Sequence, residues 1–140
     1  CGSSPSEALA VGCKFDIINY SFQRPECFFP DIHDRYYAKA SEHGPLRLYA
    51  DAGYTTVLPA DPEVYMRTER VWSEHRFHLI HCMYNFEIMH RSLMLGRPVV
   101  EKVTEWNHTM HCAKTGVLEE WEWEEKDTVI DMSFYRCVDL

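Results

Sequence analysis

The sequence predicts an α+β domain, with two or three helices packed on a small antiparallel sheet and disulfides stabilising the whole. Three observations predict it. From Glu63 to Leu95 no Gly or Pro interrupts the chain, and Phe77, Ile80, Tyr84 and Ile88 recur at spacings of three and four, as an amphipathic helix requires. Runs rich in aromatic and β-branched residues, FDIINYSF at 15–22 and TVIDMSFYRCV at 128–138, read as strands. Six cysteines occur in 140 residues, an even count with no C-x-x-C pair, which favours disulfides over zinc ribbons and thioredoxin-like motifs.

Taken in order, residues 1–12 are small and polar and read as a flexible linker, leaving 13–140 as a single domain. Pro25, Pro30 and scattered charges make 23–45 irregular, and 46–58 has room for two short strands around Ala52-Gly53. Asp61-Pro62-Glu63 is a helix start: a capping carboxylate, proline in the first turn and an acid near the positive end of the dipole. The spacing predicts one long helix from there to Leu95, or two joined by a kink, ending at Gly96-Arg97-Pro98. A second helix is expected over about 101–113, stopping near Gly116. Val117 to Trp123 alternates and reads as a strand, returning through 128–138 as a hairpin. Trp121, Trp123, Phe134 and Tyr135 belong with the core on this reading.

The formal charge is −8, which argues against nucleic acid, since phosphate binding needs a basic patch, and gives no reason to expect anionic membranes as partners. Two N-x-S/T sequons, Asn19-Tyr20-Ser21 and Asn107-His108-Thr109, join the cysteines in pointing to an oxidising, secretory compartment. Serine-nucleophile arrangements, glycine-rich phosphate loops and H-E-x-x-H are missing from the sequence.

The strongest signal is a doubled spelling. His78-Leu79-Ile80-His81-Cys82 is answered thirty positions later by His108-Thr109-Met110-His111-Cys112. Composition alone yields one such motif in roughly one chain in fifty and two in about one in several thousand. Residues three apart on a helix share a face, roughly 5 Å apart. Two helices side by side would then present His78, His81, His108 and His111 to a shared metal site. All-histidine ligation suits copper or zinc better than magnesium or calcium, and copper is the one of the two that supports oxidation. Cys82 and Cys112 lie on the same faces; they are either thiolate ligands or a disulfide clamping the motifs together. Cys13, Cys27 and Cys137 are further disulfide candidates, with connectivity left open. His75 reads as an exposed histidine beside Glu74, with a further ligand or proton carrier as the alternative; His90 suits packing or substrate contact better than ligation; His33 and His43 read as solvated, with completion of a site by a loop histidine as the alternative.

These residues also carry a family resemblance. Trp72-Ser73-Glu74-His75 leads into the first motif, His90-Arg91 follows, Trp106-Asn107 opens the second, and Arg136-Cys137-Val138-Asp139 closes the chain. On them the chain resembles the fungal UstYa-like proteins of secondary metabolism, closely over 72–112 and poorly before about 60. The resemblance implies a copper-dependent oxidative tailoring enzyme, with the four motif histidines holding one or two copper ions and dioxygen or peroxide as oxidant. It implies cyclisation, hydroxylation, desaturation or chlorination of a small-molecule or peptide natural product. It also implies a lumenal location, an N-terminal membrane anchor outside this chain, and a homo- or heterodimer. Met110 stands where many members carry an acid, and Ala113-Lys114-Thr115-Gly116 replaces a continuing helix with a Leu-Arg pair; both departures bear on substrate and reaction subtype and leave the histidines untouched. The rival readings are a non-catalytic lumenal domain with structural zinc, acting as an assembly partner, and a disulfide-stapled secreted domain without metal.

Overall fold

The structure is a computed structural model that describes residues 1–42, 44, 46–117 and 124–140. It is an α+β fold tied by three disulfides, Cys1–Cys13, Cys27–Cys137 and Cys82–Cys112.

The first twelve residues depart from the expected linker. Helix α1 spans Pro5–Ala10; Ser4 caps it by accepting from the Glu7 amide, and Ala8 is fully buried. Cys1, which the sequence reading left out of the disulfide candidates, closes this segment onto Cys13. The strand expected over 15–22 is instead a hairpin, β1 (Lys14–Asp16) paired antiparallel with β2 (Ser21–Gln23). The reason is Asp16, whose Oδ1 accepts from the amides of Ile18 at 2.9 Å and Asn19 at 3.1 Å. A carboxylate bonding to the backbone two and three residues on reverses the chain.

Helix α2 (Pro30–Ala40) occupies part of the stretch expected to be irregular. Pro30 is at its first position, where the missing N–H costs nothing, so the proline starts the helix rather than breaking it. Over 46–58 only isolated bridges form, with Tyr49 linked to Val57 and Trp72.

The Asp61 cap holds, its Oδ1 accepting from the Glu63 amide at 2.8 Å, but helix α3 (Pro62–Tyr65) ends after one turn. The expected helix is broken by strand β3 (Arg70–Ser73), and helix α4 proper is His75–Leu95, closed by Gly96 at φ 58°. Strand pairing overrides helix propensity here: β3 pairs antiparallel with β5 (Thr128–Asp131), and Arg70 bonds Asp131 across the pair. After β4 (Val99–Val100) comes a 3-10 turn at Glu101–Thr104, then helix α5 (Trp106–Val117), which starts later than expected.

The expected hairpin strand 117–123 falls mainly on residues 118–123, outside the described residues, as do Trp121, Trp123 and His43. The returning run divides among three partners. β5 joins β3, β6 (Ser133–Phe134) lies parallel to β2, and β7 (Cys137–Val138) pairs antiparallel with β4. One parallel pair therefore enters what was expected to be an antiparallel sheet.

The core gathers Ile18, Tyr20, Leu48, Tyr65, Val71, Phe77, Tyr84 and Ile88 with Val99 and Val100, and α4 packs chiefly against α2 and α5. The apolar stripe read from sequence holds, with Phe77, Tyr84 and Ile88 buried and Ile80 partly so. Phe134 and Tyr135 are half-buried against core clusters. Among the described residues no helix is long and apolar enough to cross a membrane.

The disulfides close loops of very different length, 110 residues for Cys27–Cys137 and 12 for Cys1–Cys13. In the chain-entropy picture the longer loop contributes more, about 4–5 against about 3 kcal/mol. Replacing both cysteines of the Cys27–Cys137 pair by serine is expected to lower the urea midpoint more than the same change at Cys1–Cys13, as far-UV circular dichroism will report.

Candidate metal centre

Helix α4 carries the first motif and α5 the second, and Cys82–Cys112 joins them with a Cα–Cα distance of 5.2 Å. The thiolate-ligand alternative for these two cysteines is set aside by that bond. Because each cysteine is four residues past its first histidine, the bridge holds both histidine faces toward one another.

The pairing runs across the helices rather than along them. His78 Nε2 lies 2.8 Å from His111 Nε2, and His81 Nε2 lies 3.3 Å from His108 Nε2. Neighbours along α4 are farther apart, with the His78 and His81 ring centroids separated by 6.5 Å. Adding thirty to a position turns His78 into His108, His81 into His111 and Cys82 into Cys112. That exchange carries one histidine pair onto the other and the disulfide onto itself.

Each pair has the reach of a chelate. With metal–nitrogen bonds of about 2.0 Å, separations of 2.8 and 3.3 Å subtend about 90° and about 110° at an ion. Among the described residues no three His, Cys, Asp or Glu side chains converge on a single ion position. The geometry is two bidentate pairs rather than the single four-histidine cage that sequence spacing suggests.

The surroundings prepare the rings. His81 Nδ1 donates to the Ile18 carbonyl at 3.0 Å, which fixes the tautomer and leaves the Nε2 lone pair toward His108. Burial pushes the imidazole of His78 down to about 4 and that of His81 down to about 3, with neighbouring histidines adding to the effect. Burial and then the Lys102 charge lower His108 as well. His78 and His81 are therefore neutral at pH 7, the state a metal ligand needs.

All four motif histidines line one cleft of about 540 Å³. Phe77, Val129, Ile130 and Tyr135 give it apolar surface; Asp127 and the Lys102–Glu105 ion pair, 2.8 Å apart, give it charge.

His75 departs from its expected exposure. It is 3% exposed, and its Nδ1 lies 2.6 Å from Asp127 Oδ2, with its ring centroid 5.8 Å from that of His78. Glu74, its expected surface companion, is itself buried and bonded to Arg76 at 2.9 Å, while the His75 amide donates to Glu125. His90 is exposed and stands outside the cleft, and so does Met110. His33, expected to be solvated, is half-buried on α2 between Phe28 and Tyr37.

Sequence reasoning missed Asp127, Asn19 and Asn85. No pattern marks Asp127, which arrives from a distant loop. Asn85 carried a signal, since it continues the His78–His81 stripe at the next helical spacing. The two sequons also separate: Asn19 is buried against Asn85 and has no room for a glycan in this fold, whereas Asn107 is exposed.

Comparison with profiles of known families, with curated proteins and with solved structures finds no match to this chain.

Because His78 and His81 titrate below their ordinary 6.5 in the folded chain, the unfolded chain binds more protons at mildly acidic pH. Stability in the presence of chelator is thus expected to be full above pH 6.5 and to fall as pH drops from there toward 3. Urea midpoints at pH 7, 6 and 5 will show the slope, and the His78→Gln/His81→Gln variant is expected to flatten it.

Proposed function

We propose that this chain is a copper-dependent oxidoreductase that functionalises C–H bonds of a small-molecule or peptide natural product, in the manner of the UstYa-like proteins it resembles. The observation that carries the reading is the crossed pairing of His78 with His111 and His81 with His108 on the wall of an open cleft.

The donor chemistry fits copper. Each pair offers two neutral imidazoles at chelating distance, and imidazole suits copper and zinc. A closed structural zinc site needs four ligands, whereas a two-donor pair leaves coordination positions open to other molecules. Copper bound there would supply one-electron chemistry with dioxygen or peroxide, sufficient to take a hydrogen atom from carbon or a phenol.

The residues of the chain do the rest. The imidazoles hold the ion, and the Ile18 carbonyl orients His81. Asp127 and His75 hold a proton between them, one ring away from His78. Phe77, Val129, Ile130 and Tyr135 provide apolar contact for substrate. A cleft of about 540 Å³ falls in the size range of small-molecule sites. Three disulfides suit a lumenal or secreted setting.

Metal analysis and electron paramagnetic resonance of copper-reconstituted protein test the proposal. One or two cupric ions per chain in nitrogen coordination are expected. Replacing the four motif histidines by alanine should abolish binding, and the His81→Ala/His108→Ala variant should weaken it at least tenfold. Copper retained by the four-alanine variant would overturn the reading. A zinc-loaded, silent protein whose melting point collapses with chelator would turn it toward structural zinc.

A further inference from the structure

Asn19 sits in the turn between β1 and β2, is 5% exposed and lines the cleft. Its Oδ1 accepts from Asn85 Nδ2 at 2.9 Å, and Asn85 Nδ2 also donates to the His81 carbonyl at 2.8 Å. Both amide hydrogens of Asn85 are thus committed, which sets how the two amides face each other. The backbone N–H of Asn19 is taken by Asp16. What remains is Asn19 Nδ2, a buried donor without a partner among the described residues. Buried donors in folded proteins nearly always have one. The amide pair also adjoins the candidate ligands: Asn85 Nδ2 lies 3.2 Å from His81 Nε2, and the Ile18 carbonyl preceding Asn19 accepts from His81 Nδ1.

We infer that Asn19 Nδ2 is a ligand-binding donor of this cleft, anchoring a compact hydrogen-bond acceptor beside His81 and His108. The class of ligand is a carbonyl, hydroxyl or small anionic group. Asn19 touches that group and does not bind metal. Asn85 is the positioning residue that holds the Asn19 amide in place. This rests on the metal reading, because the acceptor would lie next to the histidine pair. It also gives the first sequon a different use, since the Asn19 amide serves the cleft.

Azide, a small anionic acceptor, is the probe. Copper-loaded protein is titrated with azide, followed by its charge-transfer absorption, with copper content and near-UV circular dichroism measured on the same samples. Asn19→Asp keeps the Oδ1 acceptor for Asn85 and replaces the donor by an oxygen; azide affinity is expected to fall at least tenfold with copper content unchanged. Asn19→Ala removes the donor without adding charge and is expected to lower affinity severalfold. Ser21→Ala breaks the sequon, keeps the amide and should bind azide as the parent does. In zinc-loaded parent protein, the Asn19 side-chain amide resonance should shift on azide addition. A folded, copper-loaded Asn19→Asp protein with undiminished azide affinity overturns the assignment and leaves the metal reading standing. Should neither variant fold, an Asn19 amide resonance indifferent to azide overturns it equally. A parent chain that takes up neither copper nor zinc sinks both.

Discussion

The Cys82–Cys112 bond is the constraint from which the candidate site follows. Two helices can pack at many offsets, and each offset would set different side chains opposite one another. A covalent link at 5.2 Å between Cα atoms selects one. With Cys82 and Cys112 opposed, helical geometry leaves little freedom to the histidines one turn back and one residue back on each side. They meet as His78 with His111 and His81 with His108. The small void against the bridge, lined by Asn85, Phe86, Val103 and His108 among others, is only about 10 Å³, so the junction is well filled.

Behind that junction lies a buried carboxylate. Asp16 is fully buried, and desolvation raises its carboxyl above the usual range. Four donors answer it: the amides of Ile18 and Asn19, the Gln23 side chain at 2.5 Å and the Tyr84 hydroxyl at 2.9 Å. The first two shape the turn, the third closes the hairpin, and the fourth ties the hairpin to α4. The Ile18 carbonyl thereby arrives at His81, and the Asn19 side chain at Asn85, from an element some sixty residues away in sequence. A charge that would be costly alone becomes the joint between sheet and helix, because every lone pair it offers is used.

The fold class and the doubled motif were legible because both rest on local rules. The three- and four-residue spacing of Phe77, Tyr84 and Ile88 marks a buried helical face wherever that helix begins. Its start was misplaced because Asp61-Pro62-Glu63 is a sound helix signal, while the strand at Arg70–Ser73 depends on a partner more than fifty residues on. Asp16 looked like one polar residue in a strand until its carboxylate was seen to reverse the chain. The histidines were nameable from spacing, but spacing relates neighbours along one helix, and their pairing across two helices depends on how α4 and α5 are set side by side. His75 failed for the same reason, since Asp127 reaches it from a distant loop.

The exchange that maps one histidine pair onto the other is not obeyed by what surrounds them. His81 bonds the Ile18 carbonyl and lies beside the Asn85 amide, while its counterpart His111 is open to solvent beside His78. Repetition in sequence has therefore produced one sheltered ring and one open ring at equivalent places, thirty positions apart. An ion held at His81 would be slower to leave than one held at His111, which bulk water reaches. One spelling, written twice, sets one ring within the fold and its counterpart at the surface.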